Sequence, residues 1–239
     1  MANINTYQVP LKFMVGIPLF SCIYLFCLTQ DTLDPVAMTG IKVLPIGIIF
    51  ILMEKLNVER SHFSNYMQIG LIFSSFGDIS LELEPTVEGD ILFLCGLGNF
   101  LIAHWFYVYA MSIDIVSPKY LGFLISYGFA GSFFYIMNSY SLKDELKIAV
   151  AAYAFTIATM LWTSIRRLGS KNSTRRSQVL GIVGAAIFVI SDSIIGFNKF
   201  AMPVPYAKHW VMITYYSAQF CLGLATNGVG GSKKSVKSE

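Results

Sequence analysis

The chain has 239 residues, of which 55% are hydrophobic and only 13% are charged, and its formal net charge is +3. Soluble domains carry roughly 25% charged residues, and the mean hydropathy of this chain is +0.60. This composition excludes an ordinary soluble protein and indicates an integral membrane protein.

Apolar runs recur along the sequence, separated by short polar breaks that contain turn-forming Pro, Gly, Asn and Asp residues. About 17 to 25 such residues in a helix can cross a hydrocarbon core about 30 Å thick. The sequence therefore predicts an all-α polytopic membrane protein, a bundle of eight transmembrane helices over 11–30, 37–54, 66–82, 91–111, 119–138, 145–165, 178–197 and 207–226.

The domain organisation follows from the absence of any long linker between these runs. We expect one eight-helix domain over residues 1–228, followed by a disordered basic tail over residues 229–239, which is too polar and too rich in Gly and Ser to bury anything.

Short cytosolic loops retain Lys and Arg. Placing both termini in the cytosol puts twelve of the 17 basic residues on that side, so this orientation is predicted.

Several common functional classes find no support in the sequence. The basic run at 166–176 is interpreted as a topology anchor near anionic lipid, and no nucleic-acid binding is expected. The four cysteines lack metal-ligand spacing and are read as packing residues. No zinc-protease histidine pair and no G-x-S-x-G serine motif is present, which argues against those two types of hydrolase.

Two aspartates stand inside long apolar runs, Asp78 in FSSFGDISL and Asp192 in IFVISDSII. A charge at bilayer depth costs roughly 2.5 to 3.5 kcal/mol on insertion scales, so such a residue marks a functional site by default and needs a partner, a proton or water. No basic residue in the third or seventh span can neutralise them locally. We therefore favour a functional carboxylate pair over a structural one.

Counting residues along the spans places the two aspartates at one depth. Asp78 and Asp192 each lie roughly 18 to 22 Å from the cytosolic end of an outward-running helix. The same count predicts a polar slab in the outer half of the membrane that also contains Lys42, Asn99, Tyr215 and Tyr216. His104 and Gln219 are expected roughly a turn or more deeper, on the floor of the site.

Each of these polar residues also has a purely structural explanation. Asn99, Tyr215 and Gln219 can serve as interhelical hydrogen bonds, worth about 0.6 kcal/mol each on average. Lys42 can extend to the lipid headgroups, and Tyr107 can simply pack or lie at the interface. The sequence alone leaves these alternatives open.

Certain segments nevertheless resemble a known family. They are IKVLP, SSFGDISLELE, GLGNFLIAHWFYVYA, FVISDSIIGFNKF and YYSAQFCLGLA, in that order along most of the chain. The most specific are the Gly-Asp pair of the third span, the G-x-x-x-F-x-x-A-H-x-x-Y string that begins at Gly96, and the Ser-Asp pair of the seventh span. These segments are similar to the lysoplasmalogenase family of membrane proteins, whose bacterial members are called YhhN-like.

The resemblance implies an eight-helix enzyme, resident in the endoplasmic reticulum membrane, whose substrate is a lysophospholipid. The enzyme would hydrolyse the vinyl ether bond of lysoplasmalogens to a fatty aldehyde and glycerophosphocholine or glycerophosphoethanolamine. The family's two essential aspartates correspond to Asp78 and Asp192. The resemblance also supports a substrate-binding set of Lys42, Glu82, Asn99, His104, Tyr107, Tyr215 and Gln219.

The chemistry of a vinyl ether suits two carboxyl groups. Protonation of the β-carbon gives an oxocarbenium ion, water adds to form a hemiacetal, and the hemiacetal collapses to aldehyde and alcohol. Two buried carboxyls close together resist ionising at the same time, so the pair is expected to share one proton near neutral pH, as in glycoside hydrolysis. Lys42 is expected to hold the substrate phosphate. The scheme needs no metal and no organic cofactor, so activity is expected to survive EDTA.

Two further classes stay open at this point. A proton-coupled transporter also commonly carries intramembrane aspartates, and a non-enzymatic lipid-binding membrane protein would show the same composition.

Overall fold

The computed structural model describes residues 7–30, 33–57, 61–140 and 142–230. Within these ranges the chain forms α1 (Leu11–Gln30), α2 (Pro35–Leu56), α3 (His62–Leu83), α4 (Ile91–Ser112), α5 (Tyr120–Ser139), α6 (Asp144–Arg166), α7 (Arg175–Phe200) and α8 (Ala207–Leu224), with a 3-10 turn at Glu84–Thr86. Each helix overlaps its predicted span, and no bound differs by more than four residues. The all-α prediction is confirmed.

Six of the described helices, namely α1, α2, α4, α5, α6 and α7, are long and apolar enough to cross a membrane. The chain is therefore an integral multi-pass membrane protein. The helices α3 and α8 are less apolar because they carry buried polar side chains, among them Asp78 on α3 and Gln219 on α8. We keep as a proposal that all eight helices span the bilayer and that both termini lie in the cytosol.

Short polar side chains define where several helices begin. Asp34 accepts a hydrogen bond from the Val36 amide at 3.0 Å at the start of α2. Ser61 and Thr174 do the same for α3 and α7, each at 3.2 Å. These contacts satisfy amide groups that have no partner inside the first helical turn. The polar breaks of the sequence thus fix the helix starts.

Close packing of α3 against α4 depends on glycines. A methyl group on Gly77 of α3 would lie 2.6 Å from the Phe100 ring of α4, and one on Gly96 of α4 would lie 2.7 Å from the Leu81 side chain of α3. Small residues of this kind let membrane helices approach closely. The helix α8 packs mainly on α7 and also on α2, which brings Asp78, Lys42 and Tyr215 together in the interior.

A buried charged cluster lies where α6 passes into α7. The Arg167 guanidinium lies 4.1 Å from the Phe63 ring centroid and 3.7 Å from the Asp114 carboxylate. Ser170 and Ser173 donate hydrogen bonds to Asp114. Burial lowers the pKa of Arg167 to about 10, so the side chain stays charged at neutral pH. Arg167 belongs to the basic run at 166–176 that was expected to lie near anionic lipid, and its charge is instead buried within the protein.

The start of the predicted tail packs against the same turn. Val229 forms an isolated β-bridge with Ser173, and the Gly230 amide donates to the Asn172 carbonyl at 2.9 Å. Residues 229 and 230, which the sequence assigned to the tail, thus contact the loop between α6 and α7. Residues 231–239 lie outside the described part of the chain.

Candidate active site

Asp78 lies near the end of α3 and is only 2% exposed. The Tyr215 hydroxyl of α8 donates to its Oδ2 at 2.5 Å, and the Lys42 ammonium of α2 lies 3.8 Å from its Oδ1. Lys42 Nζ lies closer still to Glu82, at 3.1 Å, one turn further along α3. We call Asp78, Lys42, Glu82 and Tyr215 the Asp78 cluster. In this cluster one cation is shared by two carboxylates.

The countercharge of Asp78 comes from Lys42 of α2. The expectation that Asp78 lacks a basic partner considered only the third and seventh spans, and α2 is the second. Lys42 is 5% exposed, so it does not extend to the headgroups. Its Nζ donates to the Asp78 carbonyl at 3.3 Å, and its own carbonyl accepts from Tyr216 at 2.8 Å. The Tyr24 hydroxyl donates to Glu82 at 2.8 Å. Because Lys42 is held by two carboxylates, this geometry does not favour the hypothesis that it binds the substrate phosphate.

Asp192 lies on α7 in a second cluster. The Tyr153 hydroxyl of α6 donates to its Oδ2 at 2.6 Å, and His104 Nε2 of α4 lies 3.1 Å from the same oxygen and 3.0 Å from the Tyr153 hydroxyl. We call Asp192, Tyr153 and His104 the Asp192 cluster. Because Oδ2 is engaged by two neighbours, Oδ1 is the oxygen available to a further group. We place the histidine proton on Nε2, since that nitrogen faces the carboxylate.

An apolar cavity adjoins the Asp192 cluster. It contains roughly 800 Å³ of space not filled by atoms, including its open side, and lies between α4, α5, α6 and α7. Its walls are almost entirely aromatic and aliphatic, and Asp192 is the one charged residue among those that line it. Asp78 does not line it. The two aspartates therefore differ: Asp192, with a side chain 10% exposed, can meet an apolar ligand, whereas Asp78 is enclosed by protein.

The two clusters are neighbours, although they do not share one wet pocket. Between them, the Phe188 ring centroid lies 4.7 Å from that of His104 and 5.5 Å from that of Tyr215. The expectation that both aspartates occupy one layer agrees with these contacts, but an aromatic ring separates their hydrogen-bond partners.

The remaining candidates divide into two groups. Tyr107 and Gln219 form a buried pair, with the tyrosine hydroxyl donating to Gln219 Oε1 at 2.9 Å, and Ser74 lies 3.2 Å from the same hydroxyl. Asn99, in contrast, donates to the Cys95 carbonyl of its own helix at 2.9 Å. The structure therefore brings Tyr107 and Gln219 into the polar interior and gives Asn99 no partner in either cluster.

Sequence reasoning missed Tyr153. This residue stands in the apolar run AAYAFT of α6 and resembles a packing aromatic. A depth count would have found it. Tyr153 lies nine residues after the start of α6 at Asp144, and Asp192 lies eight residues before the end of α7 at Phe200. These two helix ends lie at the same end of the bundle, so the two side chains share a level. His104 also contacts Asp192 directly, where the sequence placed it a turn deeper.

Comparison with known proteins gives the family. Residues 37–226 match the YhhN family, a range that contains both clusters. This chain belongs to the YhhN family. No solved structure matches it significantly.

Several proteins similar to this chain carry a functional name. The lysoplasmalogenase TMEM86B of Sus scrofa is 30% identical over 187 residues, which is 78% of this chain and 74% of the relative. The lysoplasmalogenase TMEM86B of Homo sapiens is 27% identical over 87% of this chain and 83% of its own length. The lysoplasmalogenase TMEM86A of Homo sapiens is 29% identical over 87% of each chain.

Proposed function

We propose that this protein is a lysoplasmalogenase, a membrane hydrolase that splits the vinyl ether of a lysophospholipid into a fatty aldehyde and a glycerophosphodiester. The observation that carries the proposal is the position of Asp192 in the wall of an otherwise apolar cavity. Such a cavity suits an alkenyl chain, and a carboxyl in its wall suits the reacting bond. The names of the YhhN-family relatives support the same activity.

The proposed catalytic cycle starts with the proton on Asp192. Oδ1 of Asp192 delivers this proton to the β-carbon of the vinyl ether, and the carboxylate that results stabilises the oxocarbenium ion. The carboxylate then takes a proton from water as its oxygen bonds to the cationic carbon. The hemiacetal collapses, its hydroxyl proton passing to the departing glycerol oxygen, and Asp192 is left protonated for the next cycle.

The Asp78 cluster acts on this chemistry from outside the cavity. Asp78 and Glu82 share the Lys42 cation, so the net formal charge of the three side chains, when all are ionised, is minus one. A negative charge near a forming oxocarbenium ion stabilises it. Tyr215 and Lys42 fix the Asp78 carboxylate in one orientation, so we infer an electrostatic role for Asp78 and direct contact with substrate for Asp192.

Aldehyde release from a purified lysoplasmalogen tests the proposal. Asp192→Asn and Asp78→Asn are expected to lower the rate about 100-fold or more, in keeping with the loss of a catalytic acid–base group. Asp34→Asn is the matched control, because Asp34 is exposed and Asn caps a helix equally well. Wild-type rates in either of the first two variants, with unchanged thermal stability, would remove the aspartate pair from the mechanism.

The same preparation distinguishes the two other classes. Liposome flux without aldehyde release would identify a transporter, and lipid binding without either activity would identify a lipid-binding protein. Residence in the endoplasmic reticulum is part of the proposal and can be checked by imaging a tagged chain.

A further inference from the structure

Four charged side chains gather at one end of the apolar cavity. Lys199 Nζ lies 2.6 Å from Glu84 Oε1 and 3.3 Å from Asp90 Oδ1. Lys143 Nζ lies 3.5 Å from Asp90 Oδ2. We call Glu84, Asp90, Lys143 and Lys199 the charged rim. Its two cations and two anions balance, so the rim as a whole is neutral.

The charged rim adjoins the cavity wall through one aromatic ring. Lys199 Nζ lies 4.6 Å from the ring centroid of Phe93, and Phe93 lines the cavity together with Phe200, whose ring centroid lies 5.7 Å away. A ligand that occupied the cavity and continued past these two rings would meet the charged side chains next.

The spacing between rim and reacting group matches a lysophospholipid. Lys199 follows Asp192 by seven residues on α7, which is about 10 Å along the helix axis. Six bonds join the vinyl ether carbon to phosphorus and ten join it to the amine nitrogen, which corresponds to about 7 to 8 Å and about 12 Å for an extended chain. With the vinyl ether at Asp192, the phosphorus ends about 2 to 3 Å short of the level of Lys199 and the amine nitrogen lies about 2 Å beyond it, so both headgroup charges come within reach of the rim side chains.

We propose that the charged rim binds the zwitterionic headgroup of the lysophospholipid, with the phosphate on Lys199 and Lys143 and the ammonium on Glu84 and Asp90. The choice of lipid rests on the proposed function, whereas the site itself rests on the geometry. The rim thus takes the phosphate-binding role that was predicted for Lys42, which lies buried between two carboxylates.

The rim charges are free enough to exchange partners. Their side chains are between 30% and 67% exposed, and ion pairs at such positions contribute little to stability. The Lys199 ammonium holds the pKa of Asp90 below its usual range, so Asp90 is a carboxylate at neutral pH. A headgroup that carries both charges can replace the internal pairs without leaving any rim charge unpaired.

Equilibrium binding by the purified full chain in detergent tests the site without depending on catalysis. The probes are a 1-O-alkyl-glycerophosphocholine, which has no vinyl ether to cleave, the corresponding 1-O-alkyl-glycerophosphate, and the neutral 1-O-alkylglycerol. Lys199→Met is expected to raise Kd about five- to tenfold for the two phosphate lipids, as loss of a charge-assisted contact should, and to leave the alkylglycerol unchanged. Lys147→Met is the control, since Lys147 lies at the same end of the bundle and, among the described residues, forms an ion pair with Asp144 alone.

A second variant separates the two halves of the headgroup. Glu84→Gln is expected to weaken binding of the phosphocholine lipid about threefold to fivefold while leaving the alkyl-glycerophosphate unaffected, because only the former carries an ammonium. Inorganic phosphate at millimolar concentration is expected not to compete, and competition would identify a site for free phosphate and overturn the proposal.

Equal weakening of all three lipids by Lys199→Met, or no weakening of any, would also overturn it. Aldehyde release is measured separately, so a chain that binds as expected but releases no aldehyde would contradict the proposed function and leave the headgroup site supported.

Discussion

Tyr153 holds the carboxylate that faces the cavity. Its hydroxyl donates to Asp192 Oδ2 at 2.6 Å, which leaves Oδ1 available to the proposed substrate. Tyr153→Phe removes this donor but keeps the ring. A hydrogen bond to a charged group contributes about 1.5 to 3 kcal/mol, so we expect kcat for aldehyde release to fall at least tenfold with little change in KM.

Tyr127→Phe is the matched control for that variant. Tyr127 shares a hydrogen bond of 2.7 Å with Thr159 between α5 and α6, outside both clusters. Equal losses of kcat in the two variants would show that any tyrosine hydroxyl between these helices matters only for folding.

Lys42 keeps two buried carboxylates together. Lys42→Met leaves Asp78 and Glu82 as neighbouring like charges, and removing one partner of a buried pair costs about 3 to 5 kcal/mol. We expect a lower Tm in detergent than for Lys12→Met, a change at an exposed position. Adding Glu82→Gln to Lys42→Met should restore part of the lost stability, and failure of that rescue would count against the shared cation.

Individual residues show what depth counting can and cannot predict. It correctly grouped Lys42, Asp78 and Tyr215, because helix rise fixes the level of each side chain in the membrane. It could not tell which way a side chain points around its helix, so Asn99 entered the predicted slab although it bonds to its own helix. Tyr153 was missed because a tyrosine in an apolar run resembles packing.

At the scale of the helices, α3 and α4 approach each other at positions where only glycine fits. A methyl group on Gly77 would lie 2.6 Å from Phe100, whose ring packs against Tyr215 at 5.9 Å between centroids. Gly77→Ala should therefore lower Tm and aldehyde release together, since shifting Phe100 disturbs the partner of Asp78. Gly98→Ala on α4 is the control, because a methyl group there meets no neighbour within 4 Å; equal effects of the two changes would contradict this packing argument.

Helix bounds were largely readable from the sequence, whereas helix neighbours were not. Hydropathy and the polar breaks between the apolar runs placed each helix start to within four residues of its observed position. Packing α8 against both α7 and α2 depends on side-chain fit between distant segments, which periodicity does not encode. In the Asp78 cluster, drawn from α2, α3 and α8, the depth count therefore grouped Asp78, Lys42 and Tyr215, whereas Glu82 came from the family resemblance and the contacts themselves were not predictable.

For the whole molecule, eight spanning helices would place both termini on one side of the membrane. The distribution of Lys and Arg predicts that this side is the cytosol, in which case the charged rim would lie at the opposite surface. Reporter tags fused to the first and last residues should both be cytosolic, and an acceptor site for glycosylation inserted near Glu88 should be modified. Tags on opposite sides would show that one of the eight helices does not cross the membrane. The first candidates would be α3 and α8, which are the least apolar by mean hydropathy.

The most direct test of the account is the deuterium content of the aldehyde released from a lysoplasmalogen in heavy water. Protonation of the β-carbon by Asp192 predicts one deuterium on the carbon next to the aldehyde group in every product molecule, and almost no product from Asp192→Asn. An aldehyde without that deuterium, or labelled aldehyde formed at an undiminished rate by Asp192→Asn, would contradict it.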